Sequence, residues 1–127
     1  MSPSVPRHGG AMKTLLTIAA LAEALTGAAL LFVPQIVVQL LFGVEVAGAA
    51  VVISRFAGIS LIALGVACWP GAPAGGLWAM LTYGTLATLY LAYLGLAREF
   101  AGVLLWPAVV MHAGLSGALA VAWYKRS

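Results

Sequence analysis

Three ionisable side chains stand inside long apolar runs of this 127-residue chain: Glu23, Arg55 and His112. A carboxylate, a guanidinium and an imidazole can together supply an ion pair and a titratable donor–acceptor. Each is costly where it stands. An uncompensated Arg at the centre of a bilayer costs about 2.5–3.5 kcal/mol even on the gentler scales, so something must offset it. At ~1.5 Å per residue, Glu23 lies about 15 Å from the end of its run at Val33, and Arg55 roughly 14 Å from the start of its own at Val46. His112, counted from Gly102, is again about 15 Å deep. Thr88 and Tyr90 come within roughly 10–14 Å of the same surface. The residues therefore fall at one level. One reading is a midplane site in which Glu23 pairs with Arg55, His112 adds a proton-active group, and Thr88 or Tyr90 completes the lining. Such a site could hold a quinone head group, a small anion or a proton path. The other reading is packing alone, with Glu23 and Arg55 neutralising each other and His112 bonded to a backbone carbonyl or to Ser116.

Small residues flank all three positions. Ala19, Ala20 and Gly27 share a face with Glu23, Gly58 follows Arg55 by three, and Ser116 follows His112 by four. That spacing lets helices approach closely. Pro107 removes the usual partner of the Val103 carbonyl, which predicts a kink above His112.

Composition says what solvent these elements meet. The chain is 64% hydrophobic and 7% charged, with a mean hydropathy of +1.10. Soluble chains carry roughly a quarter charged residues, so this one cannot cover a water-facing surface and must face lipid. An ordinary soluble enzyme, a disulfide scaffold, a disordered tail and a nucleic-acid binder are all excluded. With no Asp, no Asn and three Glu, carboxylate-rich metal sites and paired-carboxylate hydrolysis are excluded too. The single cysteine, Cys68, can form neither an internal disulfide nor a thiolate cluster. No phosphate-binding loop, serine elbow or zinc motif is present, and no residue is assigned a catalytic role. Haem is not expected, because the only other histidine, His8, stands in the tail.

Four apolar stretches are long enough to cross a bilayer core, at 14–33, 46–69, 76–97 and 102–124. Their breaks are Pro34, the Pro/Gly-rich turn at 69–76 and the polar tip Arg98-Glu99. Glu23 in mid-run marks the first stretch as a permanent span and not a cleaved signal. Between the first two spans, 34–42 begins with Pro and ends before Gly43, with Gln35 and Gln39 on one face. That pattern predicts a short helix lying in the interface. Arg7 and Lys13 precede the first span and Lys125 and Arg126 follow the fourth, whereas the opposite side has only Arg98. The expected architecture is an all-α, four-helix integral membrane bundle of one domain. The positive-inside bias places both termini on the cytoplasmic side of a bacterial inner membrane.

The segments LAEALTG, SRFAGISLIALGVACW and LLWPAVVMHAGLSG resemble those of the small bacterial four-helix membrane proteins grouped as DoxX-like. The resemblance runs over nearly the whole chain and rests largely on shared hydrophobicity. It implies an association with quinone-linked oxidation of sulfur compounds as a membrane subunit, and carries over no catalytic residue. Three functions fit these observations. The first is an accessory or structural subunit of a larger membrane redox or energy-converting complex. The second is a stand-alone binder of quinone or another small molecule at the Glu23/Arg55/His112 level. The third is a small transporter or channel built by oligomerisation. The partners expected are lipid and other membrane subunits or further copies of the chain, with no cofactor assigned beyond the quinone that the second function would take.

Overall fold

A computed structural model describes residues 8–69, 75–98, 100 and 102–126. The expected cation Arg7, most of the Pro/Gly turn (70–74) and Glu99 lie outside these residues. Among the described residues five helices form: α1 (His8–Phe32), α2 (Pro34–Phe42), α3 (Ala49–Ala67), α4 (Gly75–Leu96) and α5 (Leu105–Arg126). Among the described residues there is no strand. Helices α1, α3, α4 and α5 are each long and apolar enough to cross a membrane, so the chain is a small multi-pass membrane protein.

The ends of the four long helices differ from the sequence expectation by one to six residues, most at α1, which starts at His8 and not Thr14, and two of the shifts have a local reason. Helix α3 starts at Ala49 and not Val46, because Gly48 before it takes φ 60°, a conformation that ends regular helix. Helix α5 starts at Leu105 and not Gly102, with the Leu105 amide turning back onto the Gly102 carbonyl at 3.2 Å. Pro107 therefore falls in the first turn, where a missing N–H leaves nothing unpaired. The expected kink above His112 is replaced by a helix start.

Two antiparallel hairpins make the bundle. In the first, α1 lies against α3 along a seam of small residues. A Cβ added at Gly27 would come within 2.5 Å of the Gly58 carbonyl oxygen, and one added at Gly58 would come equally close to the Gly27 oxygen. Seven residues further along α3, Gly65 sits on the Ala20 carbonyl and the Ala24 methyl. Backbone thus touches backbone, which is how helices gain attraction in a solvent as apolar as themselves. In the second hairpin, Gly84 of α4 meets Ser116 of α5, Gly95 lies under the Trp106 indole, and Trp78 meets Trp123 edge-on with centroids 5.5 Å apart.

Contacts between α1 and α5 join the hairpins. Met12, Ala19, Ala20, Cys68, Leu77, Met80 and Leu119 are buried together towards the end that carries the chain termini. Cys68 donates its thiol to the Gly76 carbonyl at 3.1 Å, tying the end of α3 to the start of α4. Buried and committed to that carbonyl, the thiol is a packing residue.

At the other end, α2 begins with Pro34 and stops at Gly43, whose φ of 71° is the left-handed cap glycine allows. Pro34 and Val38 turn inward, while Gln35 and Gln39 are exposed. The last carbonyls of α2 are not left open. Leu41 accepts from the Gly102 amide at 3.1 Å and Leu40 from the Leu104 amide at 2.8 Å. Gly102 is required there, because a side chain would run into those carbonyls. The Phe42 and Phe100 rings, 5.7 Å apart, close the same joint.

The α1–α3 seam yields a direct check on packing. Gly27→Ala should destabilise the protein by about 1–3 kcal/mol through overpacking. Gly117→Ala, whose added methyl meets nothing within 4 Å, should leave stability unchanged or raise it by under about 1 kcal/mol. Reversible unfolding in mixed detergent micelles measures both.

Candidate functional site

Among the described residues, the buried ionisable groups of the interior gather at one place apart from the Cys68 thiol. Glu23 on α1 is 3% exposed and His112 on α5 is 9% exposed. Helix α1 turns the Glu23 face inward because Ala19, Ala20 and Gly27 on that face pack against neighbouring helices. His112 Nε2 lies 3.2 Å from Glu23 Oε1. The contact is an ion-pair approach, and it leaves Nε2 without an aligned hydrogen bond.

The other ring nitrogen settles the tautomer. His112 Nδ1 stands 2.7 Å from the Ala108 carbonyl one turn earlier on α5. A carbonyl can only accept, so Nδ1 carries a proton. The charge on the pair then depends on one further proton. On Nε2, it makes an imidazolium facing a carboxylate; on Glu23, it makes a carboxylic acid facing a neutral ring. Both states are neutral in sum. Removing that proton, or adding another, would leave a net charge in the apolar interior, which is strongly opposed.

Tyr83 on α4 completes the cluster. Its ring meets the imidazole edge-on, 5.9 Å between centroids and 62° between planes. Three helices thus converge on one acid–base pair. Beside it lies a cavity of about 10 Å³, lined by Ala19, Glu23, Met80, Gly84, His112 and Ser116 among others. That volume suits one water-sized molecule and is far too small for a quinone ring.

The residues expected to share this level divide. Glu23 and His112 come together as expected. Arg55 does not join them: it is exposed on the outer surface of the bundle and forms no ion pair among the described residues. The expected Glu23–Arg55 pair is therefore replaced by Glu23–His112. The later start of α3 accounts for part of this, since Arg55 is then only ~9 Å from the helix end. Its long stem can lift the guanidinium towards the interface from that depth. The face accounts for the remainder, because Gly58, Leu61 and Gly65 take the buried side of α3.

On α4, Thr88 spends its hydroxyl on the Gly84 carbonyl at 2.7 Å, and Tyr90 is 63% exposed. Neither contributes to the pair. Tyr83 takes the place expected for them from five residues, or ~7.5 Å, further down the helix. Depth counted along backbones ignores the length of a tyrosine. The usable signal was Gly84 and Ser116, small partners beside Tyr83 and His112 that bring α4 against α5. Among the described residues no group of His, Cys, Asp or Glu could hold a metal ion.

Because each member neutralises the other, losing one should hurt more than losing both. Glu23→Leu alone should destabilise the bundle by about 3–5 kcal/mol, and Glu23→Leu with His112→Leu should recover most of that. Unfolding of the single and double variants in micelles reads the difference, and additive losses would show that the two side chains act separately. Comparison of the chain with protein-family models, with curated proteins and with solved structures gives no match.

Proposed function

We propose that this chain serves as an accessory subunit of a larger membrane assembly, seated in a bacterial inner membrane with both termini in the cytoplasm. The observation that carries the reading is Arg55. An arginine presented outward from a membrane-crossing helix, with no carboxylate beside it among the described residues, suits a partner subunit that supplies the counter-charge. The orientation is supported by Lys13 and Lys125 at one end of the bundle, following the positive-inside bias. Exposed Trp69, Trp78 and Trp123 gather at that end and Trp106 at the other, as expected of residues at two membrane boundaries. Helix α2, with Gln35 and Gln39 outward, fits a segment lying in the interface at the opposite end.

A DoxX-like relationship would place this assembly in quinone-linked redox chemistry. The stand-alone quinone binder is the weaker reading, because the cavity beside Glu23 and His112 has room for one water-sized molecule only. Glu23 and His112 then serve the subunit as its internal polar joint.

Affinity purification of the full chain from membranes in mild detergent tests the proposal. The expected result is a stoichiometric membrane partner that Arg55→Leu releases while the isolated bundle keeps its unfolding midpoint. A clean monodisperse homo-oligomer, the same for both proteins, would contradict it.

A further inference from the structure

The cavity beside Glu23 and His112 has a composition that its size alone does not convey. His112 Nε2 is fully shielded at the atom level and lacks an aligned partner. Buried polar atoms in native proteins are nearly always hydrogen-bonded, so this nitrogen calls for one. Two other residues with polar side chains line the same space, Glu23 and Ser116. Thr26, Ser54, Ser60 and Thr88 each return their hydroxyl to a carbonyl four residues back. Ser116 is instead held against Gly84, where any side chain would collide with its oxygen.

A buried water needs a space of at least about 10–15 Å³ and two to four polar partners. The cavity, at about 10 Å³, meets the first condition at its lower limit, and His112, Glu23 and Ser116, which all line it, offer polar side chains for the second. An anion is disfavoured, since the Glu23–His112 pair already balances its own charge. A larger organic ligand does not fit.

We infer that this cavity is a binding site for a single water molecule, bridging His112 Nε2, Glu23 and Ser116 inside the membrane span. The water supplies the aligned hydrogen bond that the direct 3.2 Å approach of Nε2 to Oε1 does not. It also gives the shared proton a path of its own. The proton on Nε2 passes to the water oxygen as the water passes one of its protons to Glu23, and the reverse transfer restores the first state. No charge is created by the exchange, so the pair can switch between its two forms within the apolar interior. Tyr83 packs on the imidazole from α4, and Ser116 holds the water from α5.

Solid-state nuclear magnetic resonance on the full chain in liposomes tests this directly. With the chain uniformly ¹⁵N-labelled in a His8→Gln background, His112 gives the only imidazole signals. Magnetisation transferred from water should reach the His112 Nε2 site several-fold faster than the buried Leu61 amide. Ser116→Ala should slow that transfer markedly, while the helical backbone spectrum stays the same. An Nε2 signal that builds no faster than Leu61 in the unsubstituted serine protein would overturn the water site. Fast transfer unchanged by Ser116→Ala would overturn the bridge as drawn.

Discussion

A carboxylate enclosed by hydrocarbon is the constraint to which the rest of this molecule answers. Glu23 is almost wholly buried on a helix that otherwise carries apolar and small residues inward. Left alone, it would cost several kcal/mol. His112 from α5 removes that cost by sharing a proton with it, and this is possible only if α1 and α5 stay in contact at that level. The pair is thus a joint between the two hairpins. Apolar side chains could meet at many registers, whereas an acid and an imidazole with one proton between them can meet at only one.

Holding the joint in place falls to residues with almost no side chain. Gly27 and Gly58 bring α1 and α3 into backbone contact, and Gly84 admits Ser116 between α4 and α5. These seams set the depth of each helix relative to its neighbour before any polar group acts. Helix α2 and the segment after α4 do the same at one end, through backbone hydrogen bonds from Gly102 and Leu104 to the last carbonyls of α2. A stiff frame is what allows a short, charge-balanced contact to persist in a low dielectric.

Much of this was legible in the residues themselves. Length and hydropathy locate four spans, and Pro34 with Gly43 delimit α2 because their backbone restrictions are local. The burial of Glu23 and His112 also follows from cost alone, since an inward face is the cheapest place for either. What one dimension does not contain is azimuth. Arg55, Glu23 and His112 can share a depth and still point in different directions, and a three-residue shift in where α3 begins was enough to bring Arg55 within reach of the interface. Tyr83 could be read from the sequence as part of a polar stripe on α4 but not as a neighbour of His112, because its reach along α4 exceeds the spacing that backbone depth resolves. Pro107 read as a kink only because the start of α5 was placed too early.

The pairing itself is the most exposed claim. A dipolar-coupling measurement in lipid bilayers, with ¹³C at the Glu23 carboxyl and ¹⁵N at the His112 ring and the Arg55 guanidinium, addresses it without perturbing the protein. The account predicts strong coupling of the Glu23 carboxyl carbon to His112 Nε2 and none to Arg55. Coupling to the Arg55 guanidinium, with His112 Nε2 uncoupled, would contradict it.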